Sequence, residues 1–127
     1  MTVATDAAAP GPVLVVGAGL VGGYLGGRLQ AAGVAVDFVG RPAMLGAWAA
    51  QGLRLTDLAG GDWRVPAAQL RLHTALPADA RPALVLLCVK RPALLESLRQ
   101  LAQVLPTDIP VLCCQNGLFP LDQATAA

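Results

Sequence analysis

The sequence predicts an α/β domain: a parallel β-sheet with helices on its faces. Three observations predict it. Short, mostly apolar runs recur at residues 13–16, 34–39, 83–89 and 111–114, as strands buried on both faces require. Candidate helices separate them into strand–helix–strand units, whose crossovers are right-handed. A glycine-rich turn joins the first strand to the first helix.

Composition agrees with one such domain. The chain has 127 residues, 55% hydrophobic and 13% charged. That is enough for a real core. The low charge suits a buried sheet, or a unit whose surface is partly covered by another. Net charge is +1, and the basic residues are spread thinly. Nothing points to nucleic acid or an anionic membrane. The three cysteines, Cys88, Cys113 and Cys114, and the single histidine, His73, have no metal-ligand spacing. The cysteines are expected as small buried hydrophobes on strands, in keeping with a reducing cytoplasm.

Residues 1–12 read as a flexible leader, and residues 13–127 as one domain. A helix is expected over about 21–32, with Gly33 as its C-terminal cap. Pro42 suits the first turn of a short helix to about Gln51, stopped by Gly52. Residues 53–73 read as a hairpin or small meander. Lys90 follows the strand at 83–89. Pro92 opens a helix whose face carries Leu94, Leu95, Leu98, Leu101, Ala102 and Leu105. Gln115-Asn116-Gly117 leaves the strand at 111–114, and residues 118–127 begin a further helix.

A membrane or signal segment is the competing reading of the uncharged stretch 7–27, where Gly19, Gly23 and Gly27 form a small-xxx-small ladder. No basic residue precedes it, Gly11-Pro12 interrupts it, and Gly17-Ala18-Gly19 breaks its apolar run. The glycines at 22, 23, 26 and 27 are instead expected to pack the first helix closely against other backbone.

Ligands of such sheets bind at the carboxyl ends of the strands. Four places qualify. Gly17-Ala18-Gly19-Leu20-Val21-Gly22 is a GxGxxG between a strand and a helix, the dinucleotide-binding fingerprint of a Rossmann-like sheet. Its first glycine allows the turn, its second lets backbone approach a pyrophosphate, and its third lets the helix pack closely. A turn that only connects strand to helix is the alternative. Arg41 stands where NAD-binding proteins usually carry an acid for the ribose hydroxyls. An arginine fork there pairs with a 2′-phosphate and favours NADP. Asp37 is the only nearby acid, and it lies within the strand. A solvated surface arginine is the alternative. Lys90 is placed to reach a phosphate, a nicotinamide ribose or a substrate carboxylate, or it is a solvated strand end. Asn116 offers donors and an acceptor, or is half of an Asn-Gly turn. His73 has no Asp or Ser partner at a suggestive spacing and is expected to be structural.

These stretches together resemble the amino-terminal half of the ketopantoate reductase family. The similarity is carried by Val15 to Leu29, Val39-Gly40-Arg41, Leu84 to Lys90 and Gln115-Asn116-Gly117-Leu118, in order and spacing. It implies NADPH-dependent reduction of 2-dehydropantoate to pantoate, a step towards pantothenate and coenzyme A. On that resemblance Gly17, Ala18, Gly19, Leu20, Val21 and Gly22 hold the pyrophosphate and Arg41 the 2′-phosphate. Lys90 and Asn116 line the nicotinamide end and contact a small 2-oxo acid substrate. Arg91-Pro92 and Leu118-Phe119-Pro120 depart from the family's usual residues and leave the substrate open. Family members carry a second, helical domain with the general-acid lysine. No counterpart is found in these residues, so no catalytic acid is named. The chain is expected to be a fragment, a truncated reading frame or one piece of a split enzyme, completed by that domain or a complementary chain and inactive alone. A non-catalytic NADP-binding module, or a reductase of another 2-oxo acid, is the alternative.

Overall fold

The computed structural model describes residues 11–106 and 108–114. Among these residues seven strands and three α-helices follow one another: β1 (Val13–Val16), α1 (Leu20–Ala31), β2 (Val36–Val39), α2 (Pro42–Gln51), β3 (Leu53–Thr56), β4 (Asp62–Val65), β5 (Arg71–His73), β6 (Leu84–Leu87), α3 (Leu94–Val104) and β7 (Val111–Cys113). Five strands form one parallel sheet in the order β5-β2-β1-β6-β7. The fold is thus the expected Rossmann-like sheet, with β1 at its centre. Among the described residues no helix is long and apolar enough to cross a membrane. The expected leader (except Gly11 and Pro12), Asn116 and the helix at 118–127 lie outside the described residues.

The stretch 53–73 divides differently from expectation. Its first part is a hairpin, with β3 antiparallel to β4. The Asp57 carboxylate accepts the N–H groups of Ala59 and Gly61 in the turn, and Gly60 takes φ +91° there. Arg71–His73 leaves the hairpin and joins the main sheet beside β2, with Asp37 opposite Arg71 and Val39 opposite His73. The reason is a side-chain contact across those strands. The Asp37 carboxylate takes both Arg71 and His73, and local spacing does not reveal such a long-range pairing.

The sheet's two faces are packed by different means. On one face Val13, Val15, Val36, Phe38 and Leu86 meet α2 through Leu45 and Trp48, and the hairpin through Leu53 and Val65. Helix α1 lies here and presents glycines. A Cβ at Gly23 would stand 2.8 Å from the Trp48 ring, one at Gly26 2.5 Å from Phe38, and one at Gly27 2.6 Å from Leu55. Large side chains thus fill the grooves of α1. The expected backbone packing holds only at Gly22, whose Cβ would lie 2.5 Å from the Gly17 carbonyl oxygen. Arg28 fastens the hairpin to α1, with its guanidinium 3.7 Å from the Trp63 ring centroid and its Nη1 donating to the Tyr24 hydroxyl.

On the other face Leu14, Val85 and Leu87 meet Leu94, Leu101 and Leu105. Leu98 is half-buried, while Leu95 and Ala102 are exposed. The buried seam is narrower than the predicted stripe, because positions 95 and 102 lie about 100° further round the helix. Cysteines depart from expectation too. All three are only half-buried, and Cys88 and Cys114 stand one residue beyond β6 and β7.

Candidate active site at the strand ends

Three chain exits are locked together at the carboxyl ends of β1, β2 and β6. Gly17 and Ala18 both donate their N–H to the Val39 carbonyl, at 2.9 and 3.0 Å. The Cys88 N–H donates to the Val16 carbonyl at 2.7 Å. Gly17 has φ +95°, and a Cβ there would lie 2.8 Å from backbone atoms of Cys88 and Val89. Only glycine combines that dihedral with that approach. Gly40 does the same service for the β2 exit, since its Cβ would lie 2.6 Å from the Ala18 methyl. Gly40-Arg41 is a strand-end pair in the sequence, but the close approach that requires Gly40 shows only in the fold.

Gly19 differs from its neighbours. A Cβ there would meet nothing within 4 Å. Gly19 caps α1 without a side-chain bond, and the first turn holds no acid. The N–H groups of Leu20, Val21 and Gly22 therefore open the helix without intrahelical acceptors, and Leu20 is 89% exposed. The result is an open backbone surface at the positive end of a helix, which favours an anion.

Arg41 caps α2 from an extended conformation and is exposed. Its carbonyl accepts the Leu45 N–H at 3.1 Å, and its guanidinium has no partner among the described residues. The link through Gly40 and Ala18 brings the Arg41 loop against the fingerprint turn. Lys90 is exposed and heads a single 3₁₀ turn, Arg91–Ala93. Strand β6 ends at Leu87, so Lys90 stands on the loop rather than directly on the strand as expected. The contact of Gly17 with Cys88 and Val89 brings this loop to the same edge. A cavity of about 290 Å³ opens beside Val16 and Val39, with Thr74, Ser97 and Gln100 on its polar side; sequence reading singled out none of the three.

Asp37, the acid within β2, sits back from this edge and is already engaged. Asp37 receives Arg71 at 2.6 and 2.8 Å and meets His73 Nε2 at 2.9 Å. The Arg71 hydrogen bond holds its carboxyl below the usual range, burial opposes that, and His73 adds to it. His73 thus has the Asp partner that sequence spacing did not show, and its setting is an ion-pair cluster on the sheet.

Comparison with known proteins follows the same outline. The family model described as "Ketopantoate reductase PanE/ApbA" matches residues 13–127. The PanE/ApbA family ketopantoate reductase of Ralstonia eutropha JMP134 is 32% identical, with TM-score 0.74, over 91% of this chain and 37% of that one. The 2-dehydropantoate 2-reductase of Geobacter metallireducens GS-15 is 29% identical, with TM-score 0.72, over 91% and 36%. A D-mandelate dehydrogenase solved with NADH and anilino(oxo)acetate is 21% identical, with TM-score 0.66, over 90% and 36%, and shares the fold. No curated protein matches. The chain spans about a third of the length of these solved structures.

Proposed function

Because this chain belongs to the ketopantoate reductase family, we propose that it is the cofactor-binding part of an NADPH-dependent reductase of 2-dehydropantoate. The observation that carries the reading is the contrast within the fingerprint. Gly17 and Gly22 are closed in by backbone, while Gly19 faces open space at an uncapped helix end. That is the shape a pyrophosphate needs. The amides of Leu20, Val21 and Gly22 hold it, and Gly19 lets it approach the backbone.

Arg41 pairs with the 2′-phosphate through its planar fork. Asp37 lies within β2, bound by Arg71 and His73, and does not stand at the strand end where an acid accepts from the ribose hydroxyls. Lys90 is assigned to the nicotinamide end, and so is Asn116, which lies outside the described residues. NADPH, when bound, supplies the hydride that reduces the 2-oxo group. The residues of this chain position the cofactor and balance its charge. The catalytic acid and most substrate contacts come from the helical domain that completes the enzyme.

Calorimetric titration with NADPH and NADH tests the reading. The chain is expected to bind NADPH more tightly, and Arg41→Ala is expected to weaken NADPH roughly 10- to 100-fold while leaving NADH unchanged. Equal binding of both cofactors by the unaltered chain would refute the role of Arg41.

A further inference from the structure

Two thiols stand side by side where β6 and β7 end. The parallel register sets Leu87 opposite Cys113, and the Cys114 N–H donates to the Leu87 carbonyl at 2.8 Å. Continuing that ladder by one residue sets Cys88 opposite Cys114. Both side chains pack on the α1 side of the sheet, whereas Cys113 packs on the α3 side, as the alternation of a strand requires. Neighbouring strands lie about 4.8 Å apart, within the span of roughly 4.4–6.8 Å between Cα atoms that a disulfide bridges. Neither thiol is fully buried, and neither is bonded to another cysteine. Burial first, and then the neighbouring Cys114, push Cys88 up to about 12.

We propose that Cys88 and Cys114 form an oxidisable dithiol, a modification site that closes to an intramolecular disulfide on reaction with a low-molecular-weight disulfide. Cys114 follows β7, the outermost strand described on that side of the sheet, and starts the exchange. Its sulfur attacks one sulfur of the reagent, breaks the S–S bond and releases one thiolate. The Cys88 sulfur then attacks the Cys114 sulfur of the mixed disulfide, forms the new S–S bond and expels the second thiolate. The two cysteine protons end on the two released thiols. The cysteine pair loses two electrons and the reagent gains them. Cys113 is not the partner, because its side chain points to the opposite face. The crosslink ties the β6 exit, whose backbone abuts Gly17, to the β7 exit. This chemistry needs only the two sulfurs and stands apart from the cofactor reading.

The full 127-residue chain is incubated with oxidised glutathione, alkylated, digested and mapped by mass spectrometry. The expected result is a Cys88–Cys114 linked peptide pair, loss of two alkylatable thiols, continued alkylation of Cys113, and full reversal by dithiothreitol. Cys113→Ser is expected to give the same link; if that variant does not fold, the map of the unaltered chain decides alone. A persistent glutathione adduct on Cys114 without a link overturns the proposal. So does a link through Cys113, a link between molecules, or three thiols left free. Nicotinamide binding by the reduced chain is measured separately, so failure of either reading leaves the other standing.

Discussion

Helices α1 and α3 cover opposite faces of one sheet and reach close packing by opposite routes. Helix α3 is strongly amphipathic and inserts leucines, Leu94 and Leu101, into the core. Helix α1 is barely amphipathic, and its buried residues are all glycines, at 22, 23, 26 and 27. The filling side chains belong to its neighbours Trp48, Phe38 and Leu55. An α3-type interface fails when atoms are removed. The α1 flank fails when atoms are added, and this brings its N-terminus and the strand exits close enough to build an anion site.

The largest expected effect is at the glycine turn that leads into α1, where added atoms again meet close neighbours. Gly17→Ala places a methyl where φ is +95° and backbone of Cys88 and Val89 lies 2.8 Å away. Strain and overlap together are expected to cost about 2–6 kcal/mol, read from urea denaturation. Leu101→Ala on the α3 flank removes three carbons and is expected to cost about 2–5 kcal/mol in the same assay. If Gly17→Ala were as stable as the unaltered chain, the comparison would break.

A smaller effect belongs to the ion cluster between β2 and β5. Asp37→Asn is expected to lose about 1–2 kcal/mol near neutral pH. The sign with pH follows from the lowered carboxyl. Its contribution is full above the unfolded carboxylate pKa of about 3.9 and fades as pH falls through the lower native value. Melting curves of the two proteins are therefore expected to separate at about pH 6 and to converge towards pH 2. Equal separation at both would remove Asp37 as the source.

Much of this architecture was legible because it depends on local signals. Apolar runs marked β1, β2, β6 and β7, Pro42 and Gly52 bounded α2, and the fingerprint sat between a strand and a helix. What stayed hidden depends on residues far apart in the chain. Arg71–His73 reads as part of a meander until Asp37, more than thirty residues earlier, is placed beside it. The glycines of α1 were readable as close packing, but their partners Trp48 and Leu55 come from later elements. In α3 periodicity found the helix and overstated its buried face, since Leu95 and Ala102 lie beyond the contact with the sheet. At the site the turn and Arg41 were legible as residues that follow a strand, while Lys90 proved to stand three residues past β6, on the loop. The role of Gly40 and the engagement of Asp37 needed the fold.

The contrast between Gly19 and its flanking glycines is the most direct point of attack. Gly19 has φ −131° and open space where a Cβ would stand, so Gly19→Ala is expected to leave the melting temperature unchanged. The same methyl projects into the volume assigned to the pyrophosphate, and calorimetry is expected to show NADPH affinity reduced at least tenfold. A Gly19→Ala protein that keeps both its stability and its NADPH affinity would contradict the assignment of this turn as the cofactor's phosphate site.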